Sequence, residues 1–311
     1  MPKSYRIQWM GSTEIPHIDL FLKDIEAIWL SRGGGEGLSE ALSSKLISAK
    51  DKIQAMVVWE QEEPVGMAWV EKVTAHYGNM VVHALKPEVA TVIAKQLVKS
   101  GILKSVFSEL IQFDESEAYR AQFLKMGLLE NQRQRMGLEL SRYTFTPTFS
   151  SSLILESSFT PMQRDSIPIS SEISFLAHQV SKDYVGYPDL ETLEKRIGLE
   201  TMVYDRIYGP ILDGSSLFMT HQGYPVASCL VIEIPCWGYE RVPWIFDLCV
   251  HPLYHGKGFG RRLMQESLNV LQAQDFPIVG LAVTLSNHYA IALYESLGFE
   301  VVEYFSEFAQ L

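Results

Sequence analysis

The sequence predicts an α/β protein, of the α+β kind, built from two similar domains. Patterns typical of strands and helices alternate along the 311 residues, and the order of elements in the first half recurs after residue 160. In the second half, an apolar strand pattern passes through a glycine-rich turn into a helical pattern between residues 244 and 264. The composition, with 47% hydrophobic and 20% charged residues, is typical of a folded globular chain.

Apolar patterns define the elements of the first half. Alternating or continuous apolar runs predict strands at residues 5–10, 55–59, 65–73, 79–85, 106–113 and 128–140. Apolar residues at helical spacing predict helices at 20–30, 89–99 and 117–125. Residues 32–37 are rich in glycine, but they follow a helix and not a strand, which is the reverse of a phosphate-binding loop. A surface loop is therefore the favoured interpretation of this stretch.

The second half repeats this order after a linker. Residues 146–160, rich in Ser, Thr and Pro, predict a linker between a domain at 1–145 and a domain at 161–311, and the linker can also add a strand to one sheet. Helices are predicted at 170–182, 190–200, 261–274 and 287–298. Strands are predicted at 216–221, 225–233, 244–250 and 278–284.

Charge, cysteine content and the N-terminus limit the functional class. The formal net charge of -11 argues against broad binding of nucleic acid or of anionic membranes. Cys229, Cys236 and Cys249 have neither paired metal-ligand spacing nor an even count, which favours a reduced, cytoplasmic protein without a metal site. The first residues lack an apolar core and no run approaches 18 apolar residues, so neither export nor a membrane span is expected.

The turn after residue 250 has the features of a phosphate site. Glycines alternate with other residues, and basic side chains surround them: Gly256, Lys257, Gly258, Gly260, Arg261 and Arg262. Glycine lets the backbone approach a ligand closely, and the first-turn N–H groups of the following helix point at that ligand. The helix dipole adds to the attraction for a phosphate or pyrophosphate. Tight packing of a strand against a helix is the alternative explanation of the glycines.

A second motif follows the next predicted strand, and the two together resemble a known family. The first motif is HGKGFG, at residues 255–260, and the second is NHYAIALYESLGF, at residues 287–299. In this order they resemble the GCN5-related N-acetyltransferase (GNAT) family. The resemblance implies two tandem acetyltransferase-type domains, each a mixed, mostly antiparallel sheet flanked by helices. It also implies acetyl-CoA as co-substrate, and direct transfer in a ternary complex without a covalent acyl-enzyme.

The resemblance assigns cofactor contacts to two segments. Backbone groups of Leu248, Cys249 and Val250, on a strand splayed from its neighbour, would bind the pantetheine arm and polarise the acetyl carbonyl. The turn would hold the pyrophosphate, through the residues His255, Gly256, Lys257, Gly258, Phe259, Gly260 and Arg261. His255 stands where the family prefers Arg or Gln. Because such a loop binds mainly through backbone N–H groups, an altered pyrophosphate contact is expected, and not its loss.

The same resemblance suggests catalytic side chains. Tyr294 corresponds to the family's general acid for the coenzyme A sulfur, although a tyrosine that merely packs is the alternative. Asn287 would orient the pantetheine or a water, although helix capping alone explains an Asn there. Asp247 is the best carboxylate for a general base, with an amine-binding anion and a structural hydrogen-bond acceptor as equal alternatives. Glu233 and His221 are reserve candidates, each more compatible with a structural role.

The first half resembles a second copy of the fold that has lost its chemistry. Aligning the halves on Pro87 and Pro252 places Ile93 and Lys95 opposite Gly258 and Gly260, respectively. Side chains at these positions would obstruct the approach of a pyrophosphate to the backbone. Aligning the second motifs places a phenylalanine, Phe123, opposite Tyr294. These differences predict a degenerate, non-catalytic domain at 1–145.

The acceptor remains open at this level. Tyr184 and Tyr187 lie in a predicted loop that forms one wall of the acceptor site in the family, with simple surface packing as the alternative. The leading hypothesis is acetylation of a small amine. Acetylation of a protein N-terminus or lysine, and a non-catalytic acyl-CoA sensor, are the other hypotheses. A monomer or homodimer that binds neither nucleic acid nor membrane is expected.

Overall fold

The chain folds into two compact units. The computed structural model describes residues 4–32, 35–74, 77–104, 107–144, 156–181 and 187–310. Unit 1 comprises Met1–Asn131 and Ser306–Leu311, and unit 2 comprises Gln132–Phe305. Most of the predicted linker, residues 146–155, lies outside the described residues, as do residues 33–34 of the glycine-rich stretch and Tyr184.

Unit 1 contains five strands and four helices from the first half of the described chain. They are β1 (Tyr5–Gly11), α1 (Ile18–Ser31), α2 (Leu38–Ser48), β2 (Ile53–Glu60), β3 (Glu63–Lys72), β4 (Tyr77–Ala84), α3 (Pro87–Ser100), β5 (Phe107–Gln112) and α4 (Ala118–Lys125). The sequence missed α2, whose segment LSEALSSKLIS is short and rich in serine, a residue that competes with the helix for backbone hydrogen bonds.

The remaining elements belong wholly or mainly to unit 2. They are β6 (Leu129–Glu139), β7 (Ser157–Pro161), α5 (Ile167–Ser181), α6 (Leu193–Tyr204), β8 (Leu217–His221), β9 (Tyr224–Cys236), β10 (Tyr239–Val250), α7 (Phe259–Ala273), β11 (Ile278–Thr284), α8 (His288–Ser296) and β12 (Glu300–Ala309). The strand expected from the linker is β7, which pairs antiparallel with β8. Among the described residues, no helix is long and apolar enough to cross a membrane.

The two units have the same sheet topology. In unit 1, β1 to β4 form an antiparallel series, β4 and β5 are parallel, and β5 pairs antiparallel with the end of β12. In unit 2, β7 to β10 form an antiparallel series, β10 and β11 are parallel, and β11 pairs antiparallel with β6. Each unit is therefore a mixed, mostly antiparallel sheet flanked by helices, which confirms the predicted fold class.

Each sheet takes one strand segment from the other half of the chain. β6 comes from the first half, yet its residues from Arg133 to Glu139 pair with β11 in unit 2. β12 is the last strand, yet Glu307 and Phe308 pair with β5 in unit 1. The bounds of the compact units are therefore set by which strands pair with each other. The predicted bounds at 145 and 161 differ because they were placed from the repeat in the sequence. That the first half is a degenerate copy stays a prediction.

Two apolar clusters cover the two faces of the unit 2 sheet. On one face, Ile245 of β10 packs with Leu263 of α7 and Leu281 of β11. On the other face, Cys249 of β10 packs with Ile173 of α5 and Val203 of α6. β10 is thus buried between two helical layers, and both of its faces point into the interior of unit 2.

Candidate active site

The parallel pairing between β10 and β11 stops early. The two strands are in register only at Trp244↔Gly280 and Ile245↔Leu281, although β10 continues to Val250 and β11 to Thr284. A register shift in the pairing with β9 lies between Ile245 and Asp247, where the separation begins. Such a bulge bends its strand and re-aims the residues beyond it. The result is a gap between the C-terminal ends of two parallel strands.

Backbone groups of β10 face this gap. The N–H of His251 donates to the carbonyl of Val226 on β9 (2.8 Å). Because successive residues of a strand direct their backbone groups to opposite sides, Val250 and Leu248 direct theirs away from β9, toward the gap. Cys249 directs its own toward β9. Of the three backbone positions predicted to contact the pantetheine, the strand geometry thus favours Leu248 and Val250.

The glycine turn ends in the start of α7. Gly256 and Gly258 have φ angles of 71° and 87°, in the left-handed region that glycine adopts without strain, and Gly258 is the N-cap. Apart from Gly256 itself and its two neighbours in the chain, no atom of the described residues lies within 4 Å of the position that a Cβ on Gly256 would occupy. The first N–H groups of a helix have no intrahelical acceptor, so those of the residues after Gly258 are available to an anion.

Gly260 joins the two sequence motifs. A Cβ at this position would lie 3.3 Å from Cγ2 of Val250 and 3.7 Å from Cδ2 of Leu293, so the missing side chain lets α7 approach both β10 and α8. The next residue, Arg261, donates from Nη2 to Oγ of Ser296 (2.7 Å), also on α8. The second motif therefore packs directly against the start of α7.

The other side chains of the turn have local partners. His255 donates from Nε2 to the carbonyl of Val250 (2.6 Å), since a carbonyl can only accept. The ring that replaces the family's Arg or Gln thus fastens the turn to the end of β10. Lys257 donates from Nζ to the carbonyl of Leu253 (2.7 Å), and Phe259 is buried, so only its backbone can reach a ligand.

Tyr294 and Asn287 belong to the helix that the second motif predicts, α8. Tyr294 is 8% exposed in α8, and its ring packs against Phe299 with a centroid distance of 5.8 Å. Asn287 is the N-cap of α8, where its Oδ1 accepts from the N–H of Ala290 (3.1 Å). The capping role that the sequence offered for Asn287 is therefore present, and its role toward a cofactor stays a prediction.

Asp247 is the centre of a buried polar network. Its Oδ2 accepts from Nη2 of Arg196 (2.8 Å), while its Oδ1 lies 3.1 Å from Sγ of Cys249 and 3.5 Å from Nε2 of His178. Arg196 also pairs with Glu200 (3.3 Å), and its Nε donates to a serine, Ser174 (2.7 Å). The hydroxyl groups of Ser170 and Ser171 in turn donate to Glu200.

Electrostatics keep this carboxylate ionised. Burial would raise the pKa of Asp247, but Arg196 and the contact with His178 outweigh burial and hold its pKa well below the usual range. Burial raises the pKa of Glu200, although Arg196 opposes this effect. Burial and the neighbouring Asp247 raise the pKa of the Cys249 thiol well above its ordinary value. Cys249 is therefore a thiol, which is a poor nucleophile.

The remaining predicted side chains lie elsewhere. Glu233 accepts from Nε and Nη2 of Arg241 (2.9 and 2.7 Å), as expected for a structural residue. His221 is 5% exposed, and its ring lies 6.1 Å from that of Phe259, so it packs on the α7 face and away from Asp247. Tyr187 is half-buried, with the guanidinium of Arg133 5.9 Å from its ring centroid.

Sequence reasoning missed Arg133, His178 and Arg196. The N–H of Leu285 donates to Gln132 on β6, so by alternation Ala282 directs its carbonyl toward the gap. Arg133 reaches this carbonyl with Nη2 (3.2 Å), although the predicted bounds assign Arg133 to the other domain. Nothing in a single sequence links these residues to the motifs, because each lies more than 50 positions from its partner.

The corresponding parallel pair in unit 1 stays closed. β4 and β5 are in register at six consecutive pairs, from Tyr77↔Phe107 to Val82↔Gln112. α3 begins directly at Pro87, so Ile93 and Lys95 lie inside the helix, where backbone N–H groups are used by helical hydrogen bonds. Phe123 is fully buried and packs against Phe308 of β12, with a centroid distance of 5.1 Å.

Comparison with known proteins finds a family match within the second half of the chain. The model of the acetyltransferase (GNAT) family matches residues 189–299. The ribosomal protein bS18-alanine N-acetyltransferase of Escherichia coli strain K12 is 42% identical over 55 residues, which are 18% of this chain and 37% of that relative. A GCN5-related N-acetyltransferase from Sphaerobacter thermophilus has a structure with a TM-score of 0.62 and 15% identity, covering 99% of this chain and 96% of that one.

The fold is that of solved proteins of the acetyltransferase (GNAT) family. A tandem GNAT protein from the clavulanic acid biosynthesis pathway aligns with a TM-score of 0.51 and 14% identity, over 98% of each chain. The chain described here carries a GNAT acetyltransferase domain, in a tandem arrangement of the same fold. The recognised family is confirmed. Structural likeness at this identity shows the fold alone, and the chain covers little more than a third of the curated relative.

Proposed function

We propose that unit 2 is an acetyl-CoA-dependent N-acetyltransferase that transfers the acetyl group directly to an amine, with a small molecule as the acceptor. The observation that carries this proposal is the early end of the β10–β11 pairing, next to a helix that begins at left-handed glycines. The GNAT match over residues 189–299 supports it, because this range includes both features.

The described residues fit the cofactor. The gap exposes the backbone groups of Leu248 and the N–H of Val250, whose carbonyl is used by His255. These groups would pair with the amides of the pantetheine arm. The N–H groups of Phe259, Gly260 and Arg261, at the start of α7, would hold the diphosphate with help from the helix dipole. The open space at Gly256 leaves room for a phosphate against the backbone.

The proposed mechanism uses few groups of the protein. Acetyl-CoA supplies the activated acetyl thioester when it is bound. A backbone N–H of β10 that faces the gap would stabilise the oxyanion that develops on the acetyl carbonyl. As the C–N bond forms and the C–S bond breaks, Tyr294 would donate its proton to the departing sulfur. The proton that the amine loses would pass to water, and Tyr294 would regain a proton from solvent. A carboxylate with a strongly lowered pKa is a weak base, so the contacts of Asp247 favour the structural role among the three that the sequence left open.

Replacing Tyr294 with phenylalanine tests this mechanism. Loss of the general acid is expected to lower turnover about 100-fold, with little change in the KM for acetyl-CoA, because general acid catalysis contributes roughly 10²–10⁴-fold. Release of the coenzyme A thiol with an accepted amine provides the measurement. Tyr289→Phe is the matched control, since Tyr289 lies on the same helix and is 94% exposed. Equal turnover in both variants would remove Tyr294 as the general acid.

We also expect each chain to bind one acetyl-CoA. The closed β4–β5 pair and the direct start of α3 leave unit 1 without the gap and without the turn, so unit 1 is proposed to be non-catalytic. Isothermal titration of the full chain with acetyl-CoA should give a stoichiometry close to one. A value close to two would contradict the proposal that the first half is a degenerate copy.

Acetylation of a protein N-terminus is the second candidate function. The observation that favours it is the match to an enzyme named for acetylating an alanine of a ribosomal protein. A panel of acceptors separates the two candidates: polyamines, amino acids and amino sugars on one side, and short peptides with N-terminal alanine on the other. Turnover confined to the peptides would replace the small-amine proposal.

A further inference from the structure

Three metal-ligating atoms converge beside the network of Asp247. Nε2 of His178 lies 3.5 Å from Oδ1 of Asp247 and 3.8 Å from Sγ of Cys249, and the last two atoms are 3.1 Å apart. His178 comes from α5, and the other two residues lie on β10, so all three are held by secondary structure within unit 2. Among the described residues, this set has the composition and spacing for holding a metal ion.

The separations suit a tetrahedral ion. Zinc binds sulfur at about 2.3 Å and nitrogen or oxygen at about 2.0–2.1 Å, which places tetrahedral ligand atoms roughly 3.3–3.6 Å from one another. The separation between His178 and Asp247 lies inside that range. The other two separations lie within about 0.4 Å of it. A small rotation of the Cys249 side chain away from Asp247 would equalise them.

Charge also favours a cation at this position. Asp247 and Glu200 carry two carboxylates, and Arg196 is the guanidinium that pairs with both. Arg196 contacts Oδ2 of Asp247, which leaves Oδ1 directed at His178 and Cys249. This arrangement matches metal sites in which a second residue fixes a ligating carboxylate through its other oxygen. A divalent ion that converts the thiol to a thiolate would balance the charge of the network.

The ligand types select the class of metal. A sulfur together with an imidazole suits zinc and similar transition metals, and not magnesium or calcium, which prefer oxygen ligands. Cys249 is buried, but the side chains of His178 and Asp247 remain 22% and 14% exposed. Three protein ligands with one accessible side match an open zinc site, where water takes the fourth position.

We propose that His178, Asp247 and Cys249 form a binding site for one zinc-class divalent ion per chain. The site does not depend on acyl transfer, and it revises the expectation from cysteine spacing that the protein has no metal site. Spacing rules did not reveal it because one ligand comes from a helix 71 positions before the cysteine. Without an ion, the same atoms form a hydrogen-bond network in which Cys249 donates to Asp247.

Cobalt titration of the full chain tests the site. Protein stripped with a chelator and titrated with Co²⁺ should bind one ion and develop a sulfur-to-cobalt charge-transfer band with the visible bands of a tetrahedral site. Added Zn²⁺ should displace Co²⁺ and remove these bands. A wild-type protein that stays colourless and takes up no stoichiometric Zn²⁺ would leave only the hydrogen-bond network and overturn the proposal.

Variants assign the ligands. Cys249→Ser should abolish the charge-transfer band, and His178→Gln should weaken Zn²⁺ binding more than about 10-fold, since changes even outside the ligand set cost that much. Cys236→Ser is the matched control, because Cys236 is outside the cluster and should keep the full band. Circular dichroism confirms that each variant is folded. A band that persists in Cys249→Ser, or that disappears in Cys236→Ser, would contradict the assignment.

Discussion

Replacing Gly258 with valine is expected to weaken the binding of acetyl-CoA by at least about 100-fold, which is roughly 2.7 kcal/mol. Gly258 has a φ of 87° and is the N-cap of α7. A β-branched residue is strained in this left-handed conformation, so the turn must change its path. The first-turn N–H groups would then lose the direction that the proposed diphosphate contact requires. Isothermal titration with acetyl-CoA measures the effect.

Gly223→Val separates this effect from general backbone strain. Gly223 also has a positive φ, of 82°, but it is in the turn between β8 and β9. In the described part of the chain, no atom beyond its two neighbours lies within 4 Å of its Cβ position. The two variants should lose comparable stability in thermal unfolding, whereas only Gly258→Val should lose affinity. Normal affinity in Gly258→Val would show that the diphosphate binds elsewhere, and would remove the basis of the proposed function.

Replacing Arg196 with methionine is expected to lower the free energy of unfolding by about 3–5 kcal/mol, the usual cost of removing one partner of a buried ion pair. Arg196 is 2% exposed and pairs with both Asp247 and Glu200. Methionine keeps most of the volume but leaves two carboxylates in the interior without their cation. Urea denaturation at neutral pH provides the measurement.

Arg164→Met is the control for this prediction. Arg164 pairs with Asp205 at 2.7 Å, which is similar to the distance in the Arg196–Asp247 pair, but both side chains are about half exposed. Exposed pairs contribute roughly 0–1 kcal/mol, so this variant should stay close to the wild type. Equal effects of the two substitutions would mean that the Asp247 network does not stabilise unit 2.

The loss of unfolding free energy caused by Arg196→Met should become smaller as the pH falls. In the wild type the pKa of Asp247 is lowered, so its contribution is present above the pKa of the unfolded state, near 4, and is lost as pH falls through the folded value. In the variant, the buried carboxylates lack their cation, and burial raises their pKa. They gain protons as pH falls, which relieves the penalty. A difference in stability between the wild type and Arg196→Met that grows as the pH falls would contradict this assignment.

Much of the backbone geometry of the proposed cofactor site could be predicted from the sequence. The glycine turn and the second motif are continuous segments, and their function depends on backbone conformation that nearby residues impose. Gly256 and Gly258 adopt the left-handed conformations that only glycine accepts easily, and Asn287 and Gly298 mark the ends of α8. Local residues therefore carried both the family resemblance and the order of the elements.

The role of Asp247 could not be predicted in the same way. Asp247 was identified as a carboxylate on the right strand, but the sequence could not choose among base, anion and structural acceptor. That choice depends on Arg196 and His178, which approach Asp247 only because α5 and α6 cover this face of the sheet. The strength of a charged group is set by its neighbours in space, and these lie far away in the chain.

The sequence by itself determined most of the element types, the repeated fold and the glycine turn at the start of α7, because helix periodicity, strand alternation and backbone conformation are short-range properties. Only the tertiary structure decided the exchange of β6 and β12 between the two sheets, the residue at which the β10–β11 pairing ends, and the ionisation of Asp247. Strand partners and buried charges depend on contacts between distant residues, and such contacts exist only in the folded chain.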